Sequence, residues 1–587
     1  MIYVSTLSFL FILLSFSNFI TFKFQIKNNQ SYFISCCIII LIAYFSFFID
    51  RKYNLNTLYY LFFFLLFFSI YLFLSFNLNF FKKKKNSNLD FIIFFFIIFF
   101  FSQDRYYLDQ DEFTYWGPAI KELLLGLQPY NHFTHHPKGT SLFQYLLLFF
   151  NYNEGLAIFA NNILLIAGFF FLFYERNLSI IEKIILSLIY YLLLNNLSFG
   201  FLSIYSDPVV AIFFSCILKL IYFFKIKVKK QENLQFYFSF SFIFLTLLLI
   251  NRASIIYALF LLILLYFSFF NIFKNKYKNI LNIFFIFILI IFFSFIVKIY
   301  ILHGHYDLDL IIVNVIKFFK YHFLSDNFIK LFTSPIYFSN FGSLFNGILT
   351  VFSFNNFFPQ FQIPLFLYIL ILCLIFLYSF NYKFFFAFFC FFFIFVYSVI
   401  VFILKFQIEE LHILALQRYI GIFLLANYLF YISIINKNYR PIYKNYILIF
   451  FIIFLISVTP KKTIGFFVND KIYYSNASNN NFHINREKIA KLKNFQNVDR
   501  FFVVHKDRMS DYTNEYIAGT HTFYYNIISY ELYPKKILFV EYEKFIKDID
   551  SYKRCGFDNC FFIIFDLTEN QLNKISYFKN SFIINTY

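Results

Sequence analysis

The chain has 587 residues, of which 60% are hydrophobic, 26% aromatic and 14% charged, with a mean hydropathy of +0.67 and a net charge of +19. Soluble domains carry about 25% charged residues. The shortage of charge, repeated apolar runs and only seven cysteines exclude a soluble globular protein, a disordered chain, a collagen and a small disulfide scaffold, and they require a polytopic membrane protein.

The 105 Phe and 48 Tyr against 13 Gly and 10 Pro express a general drift toward Phe, Ile, Asn, Lys and Tyr, so no aromatic cofactor box is read from them. Apolar runs fall near residues 2–22, 31–49, 57–81, 89–102, 156–174, 180–198, 207–224, 235–250, 253–271, 280–301, 362–380, 384–404, 411–435 and 446–458. They predict an all-α polytopic fold of 12–14 transmembrane helices over residues 1–458. The first run lacks a basic n-region and a small-residue cleavage site, and it reads as a retained helix.

Lys82 to Lys85, the Lys225 to Lys230 cluster, Lys274, Lys276 and Lys278, and Lys437, Arg440 and Lys444 all fall on one side if the spans alternate. Cationic loops resist translocation, so that side is the cytoplasm. The extracytoplasmic side then receives a first outer loop at 103–140, the connection Tyr205-Ser206-Asp207-Pro208, a second outer loop at 302–361, residues 405–411 and the C-terminal tail. Topology signal and anionic-lipid contact account for much of the positive charge, and no nucleic-acid partner is expected.

Residues 459–587 hold 32 charged residues in 129 and read as a water-facing extracytoplasmic domain. Short apolar runs at Phe501–His505, Ile537–Val540 and Phe561–Phe565 predict strands, and Glu541–Lys553 has helical charge spacing, which gives a small α/β fold. Cys555 and Cys560 close a short loop in it, where an oxidising compartment permits a disulfide.

Charges in or beside hydrocarbon cost several kcal/mol and so mark functional candidates. The densest polar stretch is Leu108-Asp109-Gln110-Asp111-Glu112-Phe113-Thr114-Tyr115-Trp116-Gly117-Pro118, which holds the chain's one Trp. Phe113, Trp116, Ile120, Leu123, Leu124 and Leu127 follow at three- and four-residue spacing, predicting an amphipathic surface helix, bent or restarted at Pro118, with acids at its start. An N-capping role for Asp109 or Asp111 is the plain alternative.

The loop continues through His132, His135, His136, Pro137, Lys138 and Gly139. His-x-x-His-His lacks a third ligand class at fixed helical spacing, so a zinc site is not read from it. Asp207-Pro208 opens a span, where an acid also suits the positive helix end. Arg252 and Gln417-Arg418-Tyr419 place cations near the same outer boundary, with snorkelling as the plain alternative.

These pieces together resemble the GT-C glycosyltransferases, membrane enzymes that take a sugar from a polyprenyl-phosphate carrier. Asp111-Glu112 is similar to their Asp-Glu motif, heading a surface helix like that of the protein O-mannosyltransferases and the aminoarabinose transferases. His136-Pro137-Lys138-Gly139-Thr140-Ser141-Leu142-Phe143-Gln144-Tyr145 is similar to the Pro-Pro-containing re-entry segment, with Lys138 in place of the second proline. Ser206-Asp207-Pro208 resembles the second acidic site and Arg418-Tyr419 the late Arg-Tyr pair, so the likeness covers motifs and layout across residues 105–425.

The resemblance implies an inverting, polyprenyl-phosphate-sugar-dependent transferase with a glycan, lipid or protein acceptor and the bilayer as its medium. Asp111 would be the general base, with Glu112 and Asp207 orienting hydroxyls. Arg418, Arg252, Lys138 and Tyr419 would hold the donor phosphate, and Asp109, Tyr115, Trp116, His135 and His136 would line the substrate. Cations would supply the charge stabilisation, so no cofactor is expected, although Asp109-x-Asp111 also resembles acidic pairs that bind divalent cations in some members. Rival readings are a transporter or lipid flippase, a glycan polymerase or ligase of a different fold, and a non-catalytic assembly protein built around the C-terminal domain. The acids cluster at one outer surface and the spans carry almost no midplane carboxylate, which disfavours the transporter.

Overall fold

A computed structural model of the protein describes residues 1–53, 55–76, 85–107, 112–126, 138–174, 178–198, 200–226, 230–251, 368–372, 411–438, 489–492, 500–505, 528–533, 535–547, 560–565 and 581–584, with residues 254, 257, 258, 261, 264, 448, 449, 452, 453, 455 and 486. Contacts divide the chain into two compact units: Met1–Tyr106 with Glu122–Ile464, and Tyr107–Lys121 with Gly465–Tyr587.

The described helices up to residue 438 are α1 (Ile2–Phe24), α2 (Asn28–Tyr53), α3 (Thr57–Phe76), α4 (Lys85–Ser102), α5 (Gly117–Leu125), α6 (Gly139–Leu148), α7 (Glu154–Leu172), α8 (Ile180–Leu197), α9 (Asp207–Ile226), α10 (Lys230–Ile250) and α11 (Leu411–Asn438). Among the described residues, Ile2–Phe24, Asn28–Asp50, Thr57–Ser75, Glu154–Leu172 and Ile180–Leu197 are long and apolar enough to cross a membrane. Asn88–Ser102, Gln235–Ile250 and Ile420–Ile434 are shorter apolar helices. The spans expected at 253–271, 280–301, 362–380, 384–404 and 446–458 fall largely outside the described residues, as does the 302–361 loop.

Local chemistry sets the helix starts. Asn153 accepts the Leu156 amide at 3.0 Å and caps α7. Ser179 and Glu182 form a reciprocal capping box on α8. Asp50, buried near the end of α2, accepts the Leu58 amide at 2.7 Å and the Thr57 hydroxyl at 2.5 Å, which fixes the turn into α3. Tyr59, Tyr60, Phe64, Phe67, Tyr71 and Leu74 on α3 stay exposed, as do Ile180, Ile181 and Ile184 on α8. Large apolar faces of this kind fit contact with lipid tails.

Named contacts give the helix directions. Asn161 on α7 reaches the Ser203 and Tyr205 carbonyls, Gly168 lies against Ile212, and Lys219 donates to the Phe171 carbonyl at 3.2 Å, so α7 and α9 run parallel. Phe214 meets Phe423 at 6.1 Å and Tyr222 meets Phe430 at 5.9 Å, so α9 and α11 are parallel too. Phe95 packs on Phe159 at 4.9 Å while Tyr174 bonds Asp90, so α4 is antiparallel to α7. Asn251, just past α10, bonds the Ser206 hydroxyl just before α9, so α7, α9 and α11 begin, and α4 and α10 end, at one end of this unit.

In the second unit, β1 (Arg500–His505), β2 (Lys536–Glu541), β3 (Cys560–Phe565) and β4 (Ser581–Ile584) make one parallel sheet in the order β2-β1-β3-β4. Arg500 is paired with Lys536 on one side and Cys560 on the other, and Phe562 with Ser581. Phe501 to Val504 on the inner strand β1 are all buried, which is why that run lacks apolar-polar alternation. The helix α12 (Tyr542–Lys547) follows β2 directly and lies against β2 and β1, with Tyr542 and Phe545 buried. The Cys555–Cys560 pairing lies outside the described residues, which give only the backbone of Cys560.

Candidate functional site

At the end of the helical unit where α9 begins, Asp207 is 3% exposed and Ser206 is fully buried. Pro208 fits the first helical turn because the amide it lacks would have no intrahelical partner there. The preceding connection is held by two adjacent asparagines in the otherwise apolar α7. Asn161 Nδ2 donates to the Ser203 and Tyr205 carbonyls, each at 3.1 Å. Asn162 Nδ2 donates to the Phe201 carbonyl and to the Ser102 hydroxyl at the end of α4, each at 3.0 Å. From the end of α10, Asn251 Nδ2 donates to the Ser206 hydroxyl at 2.7 Å. The connection that leads into Asp207 is thus held by α7 through its backbone carbonyls and by the end of α10 through the Ser206 side chain.

Lys138, just before α6, is 3% exposed, and its backbone N–H donates to the Tyr44 hydroxyl at 2.6 Å. Burial pushes its ammonium down to a pKa of about 7, against the opposing pull of the Glu122 charge nearby. Gly139 follows in a tight place: a Cβ there would stand 2.8 Å from the Leu249 carbonyl, in the last turn of α10. Lys138 and Asp207 therefore sit at the same end of one unit, linked through the end of α10 by Leu249 on one side and Asn251 on the other.

The ring contacts between α9 and α11 set the level of Arg418. It lies five residues before Phe423 and so is level with Val209, two residues past Asp207. At 1.5 Å rise per residue that is about 3 Å along the axis. The backbones of Arg418 and Tyr419 enter the bundle beside the start of α9. Asp109, Asp111, His135, His136 and Arg252 lie outside the described residues.

Glu112, Tyr115 and Trp116 belong to the second unit. Glu112–Trp116 is a single π-helical turn and α5 starts at Gly117, one residue before Pro118, so the predicted restart occurs there. Such turns widen the backbone locally and recur at functional sites. Glu112 is 1% and Trp116 8% exposed, whereas Tyr115 is 51% exposed.

Among the described residues no group of three or more His, Cys, Asp or Glu is arranged to hold a metal ion. Sequence reasoning passed over Glu122, Asn161 and Asn162. Paired amides inside an apolar run were the available signal for the asparagines, because such groups need partners in hydrocarbon. No family model, curated protein or solved structure matches the chain.

Proposed function

We propose that the chain is an integral-membrane, inverting glycosyltransferase that moves a sugar from a polyprenyl-phosphate carrier to an extracytoplasmic hydroxyl, on a GT-C-like core of 12–14 spans. The observation that supports this reading is that a buried acid, Asp207, and a buried cation, Lys138, lie at the same end of the helical unit, each beside a residue that touches the end of α10, with the Arg418 backbone about one helical turn or less from the Asp207 level.

In the reaction, Asp111 takes the proton of the acceptor hydroxyl as its oxygen bonds to the anomeric carbon, and the bond from that carbon to the phosphate oxygen breaks with its electron pair. Direct displacement inverts the anomeric centre. Polyprenyl phosphate is a good leaving group and needs no general acid. Asp207 and Glu112 orient sugar or acceptor hydroxyls, and Arg418, Arg252 and Lys138 with Tyr419 neutralise the phosphate. Asp109, Tyr115, Trp116, His135 and His136 line the substrate, and Phe-rich helix faces accommodate the isoprenoid tail. No metal is required in this scheme.

The test is mass spectrometry of carrier lipids and surface glycoconjugates from a deletion strain. The expected result is an accumulated sugar-lipid and a missing surface sugar, restored by the native chain and not by Asp207→Asn. Unchanged lipids and glycoconjugates would overturn the assignment.

A further inference from the structure

The acid-bearing segment Tyr107–Lys121 groups by its contacts with the C-terminal part of the chain. Both of its ends are tied there. At the start, Arg486 Nη1 donates to the Tyr107 carbonyl at 3.3 Å. The same guanidinium holds Glu531 in a two-pronged pair, with Nε 2.7 Å and Nη2 2.5 Å from Oε1. Arg486 is 7% exposed, so this pair is screened little by water. At the far end, the Lys121 ammonium donates to the Tyr530 carbonyl at 2.6 Å and lies 3.3 Å from the centre of its ring.

The middle of the segment is packed on the same residues. The Arg486 guanidinium lies 4.9 Å from the Phe113 ring, and Phe113 meets Tyr530 edge-on at 5.3 Å. At Gly117 a Cβ would stand 2.6 Å from the Glu112 carbonyl, 2.7 Å from Tyr530 Cε2 and 2.9 Å from Tyr107 Cε2. Glycine is therefore needed where the π-helical turn carrying Glu112 gives way to α5.

We infer that Arg486 is a positioning residue: through Glu531, Tyr107 and Phe113 it fastens the π-helical turn that begins at Glu112, so the C-terminal part of the chain holds Glu112, one acid of the transfer reaction, in place. The catalytic consequence rests on the glycosyltransferase reading; the anchoring does not. An isolated turn of five residues followed by a nine-residue helix is too short to hold its own conformation in water. An anchor from elsewhere in the chain supplies what the segment lacks.

Trp116 is the chain's single tryptophan and lies on this segment, so its fluorescence reports the segment alone. The experiment uses full-length protein in lipid nanodiscs, as native chain, Arg486→Ala and Arg486→Lys, with tryptophan excited selectively. In Arg486→Ala we expect red-shifted emission, severalfold stronger acrylamide quenching, and kcat for sugar transfer lower by about 10- to 100-fold with the donor KM little changed. Lysine keeps the charge but not the fork, so Arg486→Lys should be intermediate in both readouts. It carries the test if the alanine variant is not recovered.

Native-like Trp116 emission and quenching in the substituted proteins would overturn the anchor. A displaced Trp116 with native kcat would overturn the positioning role. A native chain with a buried Trp116 and no transferase activity would remove the glycosyltransferase reading, and the catalytic half of this inference with it, while leaving the anchor standing.

Discussion

Asn251, at the end of α10, donates its amide to the Ser206 hydroxyl 2.7 Å away, and so ties the exit of one helix to the residue before Asp207 at the entrance of another. Asn251→Ala removes that tie and leaves a buried hydroxyl short of a donor. Loss of a buried partner costs about 1–3 kcal/mol, and we predict a lower melting temperature together with a fall of roughly tenfold in kcat, since Asp207 loses one of its supports. Paired melting and transfer assays on the purified variant check this; unchanged kcat would separate the tie from the site.

Substitution of the acids should separate chemistry from folding. Asp111→Asn is expected to abolish sugar transfer with expression and melting unchanged, because the amide cannot accept the acceptor's proton at neutral pH. A fully active protein would refute the base assignment.

For Arg418→Ala the expected outcome is a sharply raised donor KM with the acceptor KM little changed, read by varying each substrate in turn. Equal loss for both substrates would count against phosphate binding at that residue.

Lys138 gives a pH signature. Its ordinary value of 10.5 is pushed down to about 7 by burial, so the ammonium is present below that pH and lost above it. A donor phosphate held by Lys138 then binds best on the acid side, and kcat/KM for the donor, which reports the free enzyme, should fall as pH rises through about 7. Arginine stays charged throughout, so Lys138→Arg should flatten this limb. A limb that survives the substitution unchanged would assign the titration elsewhere.

Gly155 tests the packing at the same end of the helical unit. A Cβ there would stand 2.3 Å from the Gln103 carbonyl and 2.4 Å from that of Ser102, both backbone atoms at the end of α4. Overfilling a packed contact costs typically about 1–3 kcal/mol. Gly155→Ala should therefore melt lower in detergent, although alanine is the better helix former by about 1 kcal/mol; a variant as stable as the native chain would show that α4 yields freely.

Much of the architecture was legible in local pattern. Apolar runs gave α1, α2, α3, α7 and α8 near their observed limits, and the short β-branched and aromatic runs at Phe501, Ile537 and Phe561 coincide with strands β1 to β3. The strand β4 has only four residues and too little pattern to stand out.

Hydropathy and periodicity are properties of consecutive residues, which is why the amino-acid sequence by itself determined the membrane character, the kinds of element and the order of the charged motifs. The tertiary structure alone decided that α7, α9 and α11 run parallel, so that the Arg418 backbone comes level with Asp207, and that Asn161 and Asn162 serve the turn before it. It alone grouped Tyr107–Lys121 with Arg486 and Tyr530. Those partners are separated by tens to hundreds of residues, and which buried donor meets which acceptor is settled by packing, since a buried donor left unpaired is costly.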